Sequence, residues 1–297
     1  MKLLPFLDRL AAGSAAPASA PRRALLQQAG RTALAALPLA LGAAQPVAAR
    51  AKATAYDAIA QLLQLERLQM TYYARALAIT GLIPAAQVAG FQRLYDHQLQ
   101  HVAFLQSALQ NTGAIVPAVP AFDFSGRKNV PTNPVLFPNV LSNYDDFLAL
   151  AQQLEDLGAR LYNTYAFINT ADAQFAKVLL RMLAVEAEHS AHVRGLRRGR
   201  GVAVKTWPST TDAPIVRPAA AQALTAAASS GEDNITQLAA VGVPIVFSSF
   251  LNVFSLSFVP DVALAEAFDE PVVPNTAPPS PQPNQQATAQ AALNLFS

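Results

Sequence analysis

Four segments of this chain place a glutamate or a histidine inside a helical stripe of apolar side chains, and that feature constrains the fold more than any other. Apolar residues recurring every three to four positions mark the buried face of a helix. A carboxylate on such a face must meet a partner from another helix. From Thr54 to Ile79, Ile59, Leu62, Met70 and Tyr73 recur at this spacing, with Glu66 among them and no Pro or Gly until Gly81. One long helix is predicted. After the Gly81 to Pro84 turn, residues 86–110 repeat the pattern through Phe91, Leu94, Leu105 and Leu109, and carry Gln98 and His101 on the stripe. Residues 111–141 hold Pro117, Pro120, Pro131, Pro134 and Pro138, which exclude a helix interior and predict a long crossover.

Ser142, three residues before Asp145, marks the expected start of a third helix running to about Ile168. Leu148, Ala151, Glu155, Gly158 and Tyr162 share one of its faces. Asp172 opens a fourth helix, expected to reach Leu196 before Gly199 and Gly201 stop it, with Glu186 and His189 on the stripe of Phe175, Leu179, Met182 and Val193. Short, long and short connections between four helices predict an all-α four-helix bundle whose single crossover links two hairpins. The hairpins repeat each other. Glu66 precedes His101 by 35 residues and Glu155 precedes His189 by 34, and each of these glutamates lies seven residues before a tyrosine, Tyr73 or Tyr162. All four histidines, His97, His101, His189 and His192, fall in the second and fourth helices.

The chain has no cysteine, which excludes thiolate zinc sites, iron–sulfur clusters, cysteine nucleophiles and disulfides. Any metal must be held by oxygen and imidazole nitrogen. A net charge of +2 over 297 residues gives no electrostatic footprint for nucleic acid. Two hard cations held a few ångströms apart repel, and glutamate oxygens offset that repulsion while a neutral imidazole caps each ion. A Glu from each of two helices, with Glu-x-x-His from each of the other two, is how a bundle core meets that need. Glu66, Glu155 and Glu186-x-x-His189 satisfy it; Gln98-x-x-His101 satisfies it except at Gln98. These six are the candidate metal ligands. His97 and His192 are read as solvated or supporting histidines, and Tyr73 and Tyr162 as packed aromatics with a hydrogen-bonded hydroxyl. Arg194, Arg197, Arg198 and Arg200 are read as cations at a helix C-terminus rather than as a phosphate site.

At these ligand positions the chain resembles ferritin-like proteins. It is similar in particular to the bacterial desiccation-related type in the runs His97 to Leu105 (HQLQHVAFL), Leu154 to Gly158 (LEDLG), Gly231 to Gln237 (GEDNITQ) and Ala267 to Pro271 (AFDEP). The resemblance spans roughly residues 54–271. It implies a ferritin-like bundle holding iron or manganese, with oxygen or peroxide as reaction partner. Family members usually have Glu where this chain has Gln98, so two ions would face three carboxylates instead of four. Two functions stay open: an iron-handling or oxidoreductase-like protein, and a non-enzymatic, desiccation- or stress-related envelope protein whose site is vestigial.

The ends read differently from the middle. Residues 1–32 carry Lys2, Arg9, Arg22, Arg23 and Arg31 against Asp8 alone; an apolar run from Ala33 to Ala44 follows, then the small residues Val47-Ala48-Ala49. That order predicts a signal peptide over residues 1–49 and an exported protein of the periplasm or cell envelope. Arg22-Arg23-Ala24-Leu25-Leu26 resembles the twin-arginine motif, which exports folded proteins. The bundle is assigned residues 50–200. Residues 201–270 are expected to pack on it as a helical extension, with Phe247, Phe250, Leu251, Phe254 and Phe258 as an aromatic stripe. The uncharged stretch 234–260 is long enough for a membrane span, but Pro244, Asn252 and its serines favour docking on the bundle. Residues 271–297, with six prolines and no charge, are expected to be a disordered tail.

Overall fold

The computed structural model describes residues 47–168, 173–209, 211–219, 236–238, 244–246 and 295. Four long helices carry the fold: α1 (Val47–Ala78), α2 (Ala85–Asn111), α3 (Tyr144–Ile168) and α4 (Ala173–Gly199). The chain divides into two compact units, Met1–Val47 and Ala48–Ser297. The leader expected over residues 1–49 lies outside the described residues except for Val47 to Ala49, which open α1. This helix starts seven residues before the expected Thr54, because the alanine-rich run 48–53 favours helix.

The apolar stripes meet in one core. Leu62, Leu65 and Tyr72 from α1, Phe91 and Leu105 from α2, Phe147 and Leu161 from α3, and Leu179 and Val193 from α4 are all buried. Each fully buried side chain of this size contributes about 1.5–3 kcal/mol, so the stripes account for the assembly of the helices. The turn between α1 and α2 places Gly81 at φ +83°, a left-handed conformation that suits glycine.

The third helix begins one residue later than Ser142 predicts. Asn143 caps it, its Oδ1 accepting from the amides of Asp145 at 2.9 Å and Asp146 at 3.1 Å. Ser142 instead turns its hydroxyl toward the Asn139 carbonyl at 3.4 Å. Asp172, the expected opening of the fourth helix, lies outside the described residues.

The proline-rich crossover is anchored. Arg67 donates to the Pro117 carbonyl at 2.8 Å, and Gln64 to the Ala118 carbonyl at 3.0 Å. Phe122, Phe124, Leu136, Phe137 and Val140 are buried in the bundle core. Phe124 lies 4.9 Å from the Tyr72 ring, which stacks on Phe147 at 5.2 Å. These aromatic contacts join α1, α3 and the crossover.

Arg194, Arg197 and Arg200, around the end of α4, make structural contacts. Arg194 donates to Asp156 of α3 at 2.6 and 2.9 Å, and to Asp212 in the following loop at 2.5 Å. Arg197 bonds Gln152, and Arg200 pairs with Asp145. Arg217, further along the extension, donates to Gln153 at 2.8 Å. The described start of the extension is therefore held on the bundle. Further on, β1 (Thr236–Leu238) and β2 (Pro244–Val246) pair antiparallel, so these parts of the uncharged stretch are strands, not the expected helix. The aromatic stripe from Phe247 to Phe258 lies outside the described residues. So does the tail apart from Leu295, which is fully buried and accepts the Asp123 amide at 3.0 Å; at that position the chain is docked, not disordered. Among the described residues no helix is long and apolar enough to cross a membrane.

Candidate metal centre

Two helices present the same pattern to the core. On α1 it is Leu62, Glu66, Gln69 and Tyr73; on α3 it is Ala151, Glu155, Gly158 and Tyr162; all eight are buried. The shared spacing stacks each set on one helix face. The two tyrosines then cross over. Tyr73 donates to Glu155 Oε1 at 2.5 Å, and Tyr162 donates to Glu66 Oε1. One oxygen of each glutamate is tied by the opposite helix, and the other oxygen, Oε2 in both cases, has no hydrogen-bond partner.

The position between carboxylate and tyrosine differs in the two repeats. Gln69 donates to Glu186 Oε2 and to the Leu154 carbonyl, both at 3.2 Å. Its counterpart Gly158 leaves the space that the same Glu186 oxygen fills, since a Cβ there would lie 2.5 Å from Oε2. Glu186 is thereby pinned by one oxygen. Its other oxygen, Oε1, lies 3.2 Å from His101 Nδ1 and 3.6 Å from His189 Nδ1, without a hydrogen bond to either.

Two triads result, Glu66 with His101 and Glu186, and Glu155 with His189 and Glu186; within each, the ligand atoms lie within 4.8 Å of one another. His101 Nδ1 stands 3.2 Å from Glu66 Oε1, and His189 Nδ1 stands 3.3 Å from Glu155 Oε2. Glu186 is common to both. Of the six residues that the sequence nominates, these five converge. Gln98 is fully buried, and neither of its amide atoms has a hydrogen-bond partner.

Among the roles missed from sequence are those of Gln69 and Gly158, which the offset between the two helical patterns could have exposed. The Tyr73 and Tyr162 hydroxyls were expected to be bonded, but not to the ligand carboxylates themselves. His97, read as a solvated or supporting histidine, bonds His189 with its Nδ1 2.9 Å from Nε2.

Unpartnered polar atoms in a dry core cost about 1–3 kcal/mol each. Here they are Glu66 Oε2, Glu155 Oε2, Glu186 Oε1 and the Nδ1 atoms of His101 and His189, all acceptors that a cation would satisfy together. Oxygen and imidazole donors of this kind suit iron or manganese. The residues present therefore fit two divalent ions sharing Glu186.

Without an ion the groups must share protons. Burial first, then repulsion from Glu186, raises Glu66 and holds Glu155 well above the usual carboxylate range. Burial works against charge on His101 too, but Glu66 and Glu186 outweigh it and push the imidazole up to about 10. Burial also opposes charge on Glu186, yet His101, 3.2 Å away, and His189 lower it. The charge on His101 thus favours the anionic form of Glu186, while Glu66 and Glu155 are pushed toward their protonated forms. His189 is held below its usual value by burial.

A raised folded-state value gives stability that is complete below the unfolded value and lost as pH rises. For His101 that loss runs from 6.5 to about 10, and raised Glu66 and Glu155 act in the same direction from lower pH. Lowered Glu186 acts oppositely, and only toward acid. The melting temperature of the metal-free protein is expected to fall between pH 6.5 and 10, and excess divalent ion to offset that fall by replacing the shared protons. A metal-free melting temperature that holds steady or rises over that interval contradicts this charge distribution.

No curated protein matches the chain. A family model does: that of the ferritin-like domain matches residues 54–198. Its span takes in most of all four helices and every candidate ligand, so the matching region is a ferritin-like four-helix bundle with a buried Glu/His cluster that could hold metal at its centre.

Proposed function

We propose that the protein is exported and binds two iron or manganese ions in this cluster, where they handle iron or react with oxygen or peroxide. The observation that carries the reading is the pair of triads sharing Glu186, each presenting unpartnered acceptor atoms in a core with no other use for them. Bound iron or manganese would supply one-electron chemistry toward oxygen or peroxide. The chain's own residues do the rest. Tyr73 and Tyr162 each hold one oxygen of a ligand carboxylate and leave the other for an ion. Gln69 and the space over Gly158 fix Glu186 so that one oxygen reaches both triads. The order of basic, apolar and small residues over 1–49 supports export to the periplasm or envelope.

A second reading, a desiccation- or stress-related envelope protein with a vestigial site, is favoured by Gln98 and by the sequence runs resembling the desiccation-related type. Gln98→Glu separates the two. Restoring the carboxylate should tighten binding of the second ion by about tenfold or more, since anionic ligands set affinity for divalent ions. Metal analysis of protein purified without chelator, together with oxygen and peroxide consumption on adding ferrous ion, provides the readout. Higher metal content and faster consumption in the variant support the first reading. No metal in either protein supports the second.

A further inference from the structure

His189 turns Nδ1 toward Glu155 and Glu186, so its other ring nitrogen points out of the cluster. There Nε2 meets Nδ1 of His97 at 2.9 Å, and the two rings lie edge to edge and close to coplanar, with centroids 5.1 Å apart and planes 21° from parallel. A neutral imidazole carries one ring proton. At His189 Nδ1 makes no hydrogen bond although Glu155 Oε2 is 3.3 Å away, whereas Nε2 has a partner within hydrogen-bond reach. This arrangement lets the proton sit on Nε2, donated to His97, with the Nδ1 lone pair left for a cation.

We propose that His97 is the positioning residue of the His189 triad, holding that ring in the tautomer and orientation that bind a divalent ion. The inference rests on the metal reading above and assigns its preparation to a residue outside the ligand set. His97 lies on α2, one residue before Gln98, and reaches across to α4. In the repeat Gln98 corresponds to Glu186, so the counterpart of His97 is Val185, which has no side-chain acceptor. The device serves one triad. The ion beside His189 is then the one whose ligand is oriented in advance, and removing His97 should affect that ion selectively.

The test uses the full chain, isotopically labelled at histidine, with cobalt(II) as the metal probe. In the metal-free parent, nitrogen shifts should report His189 protonated at Nε2. His97→Phe keeps an aromatic ring but no acceptor; it should mix the tautomers and weaken cobalt binding at one of two sites by about ten- to a hundredfold. His97→Asn, whose amide oxygen accepts the same bond, should restore both. Unchanged tautomer and affinity in His97→Phe overturn the inference while leaving the metal reading intact, as does a His97→Asn variant indistinguishable from His97→Phe. A parent that binds no cobalt overturns both.

Discussion

Glu186→Ala should empty both halves of the metal centre, whereas Glu155→Ala should leave about one ion bound. The difference follows from position. Glu186 Oε1 belongs to the His101 triad and to the His189 triad, while Glu155 belongs to one of them. Removing Glu186 leaves each ion with one carboxylate and one imidazole, and no ligand common to both. The variant should still fold, because its neighbours Leu179, Met182 and Val193 keep α4 in the core. Metal content per folded chain after equilibration with ferrous or manganous ion is the measurement. Equal retention in the two variants would mean that the triads do not share a ligand.

Arg194→Leu is the substitution expected to cost most stability. Arg194 is 3% exposed and makes two bonds to Asp156, one to Asp212 and one to the Trp207 carbonyl at 3.3 Å. Ser190 at 2.6 Å and Gln152 at 3.2 Å also donate to Asp156. The cluster ties α3, α4 and the segment after α4. Removing one partner of a largely buried pair costs up to about 3–5 kcal/mol, with Ser190 and Gln152 offsetting part of the loss at Asp156. For a domain of this size that lowers the melting temperature by roughly 6–20 °C. Metal content per folded chain at low temperature should be unchanged, because none of these groups is a ligand. A loss below about 1 kcal/mol would show that Asp156 is adequately held by its other donors.

Periodicity made the bundle and its ligands legible. A lone carboxylate or histidine within an apolar stripe specifies both the buried face and the need for partners, so Glu66, Glu155, Glu186, His101 and His189 could be nominated together. The helix start at Asn143 was less legible, because two adjacent residues could cap and only backbone geometry decides which side chain reaches the free amides. The strands at 236–238 and 244–246 escaped notice because three residues, Thr-Gln-Leu or Pro-Ile-Val, are too few to show the alternation that marks a strand. Leu295 was hidden for a different reason: the composition around it argues against a core, while one leucine docked on the crossover needs no compositional signature. The contrast between Gln69 and Gly158 was visible as residues but not as chemistry, since its meaning depends on Glu186 lying between them.

The central claim is that two ions share Glu186. Anomalous diffraction from crystals grown with ferrous or manganous ion, collected at the metal's absorption edge, addresses it directly. The account predicts two peaks per chain, one among Glu66, His101 and Glu186 and the other among Glu155, His189 and Glu186. A single peak not bound by Glu186, or peaks confined to surface carboxylates with the core cluster empty, would contradict it.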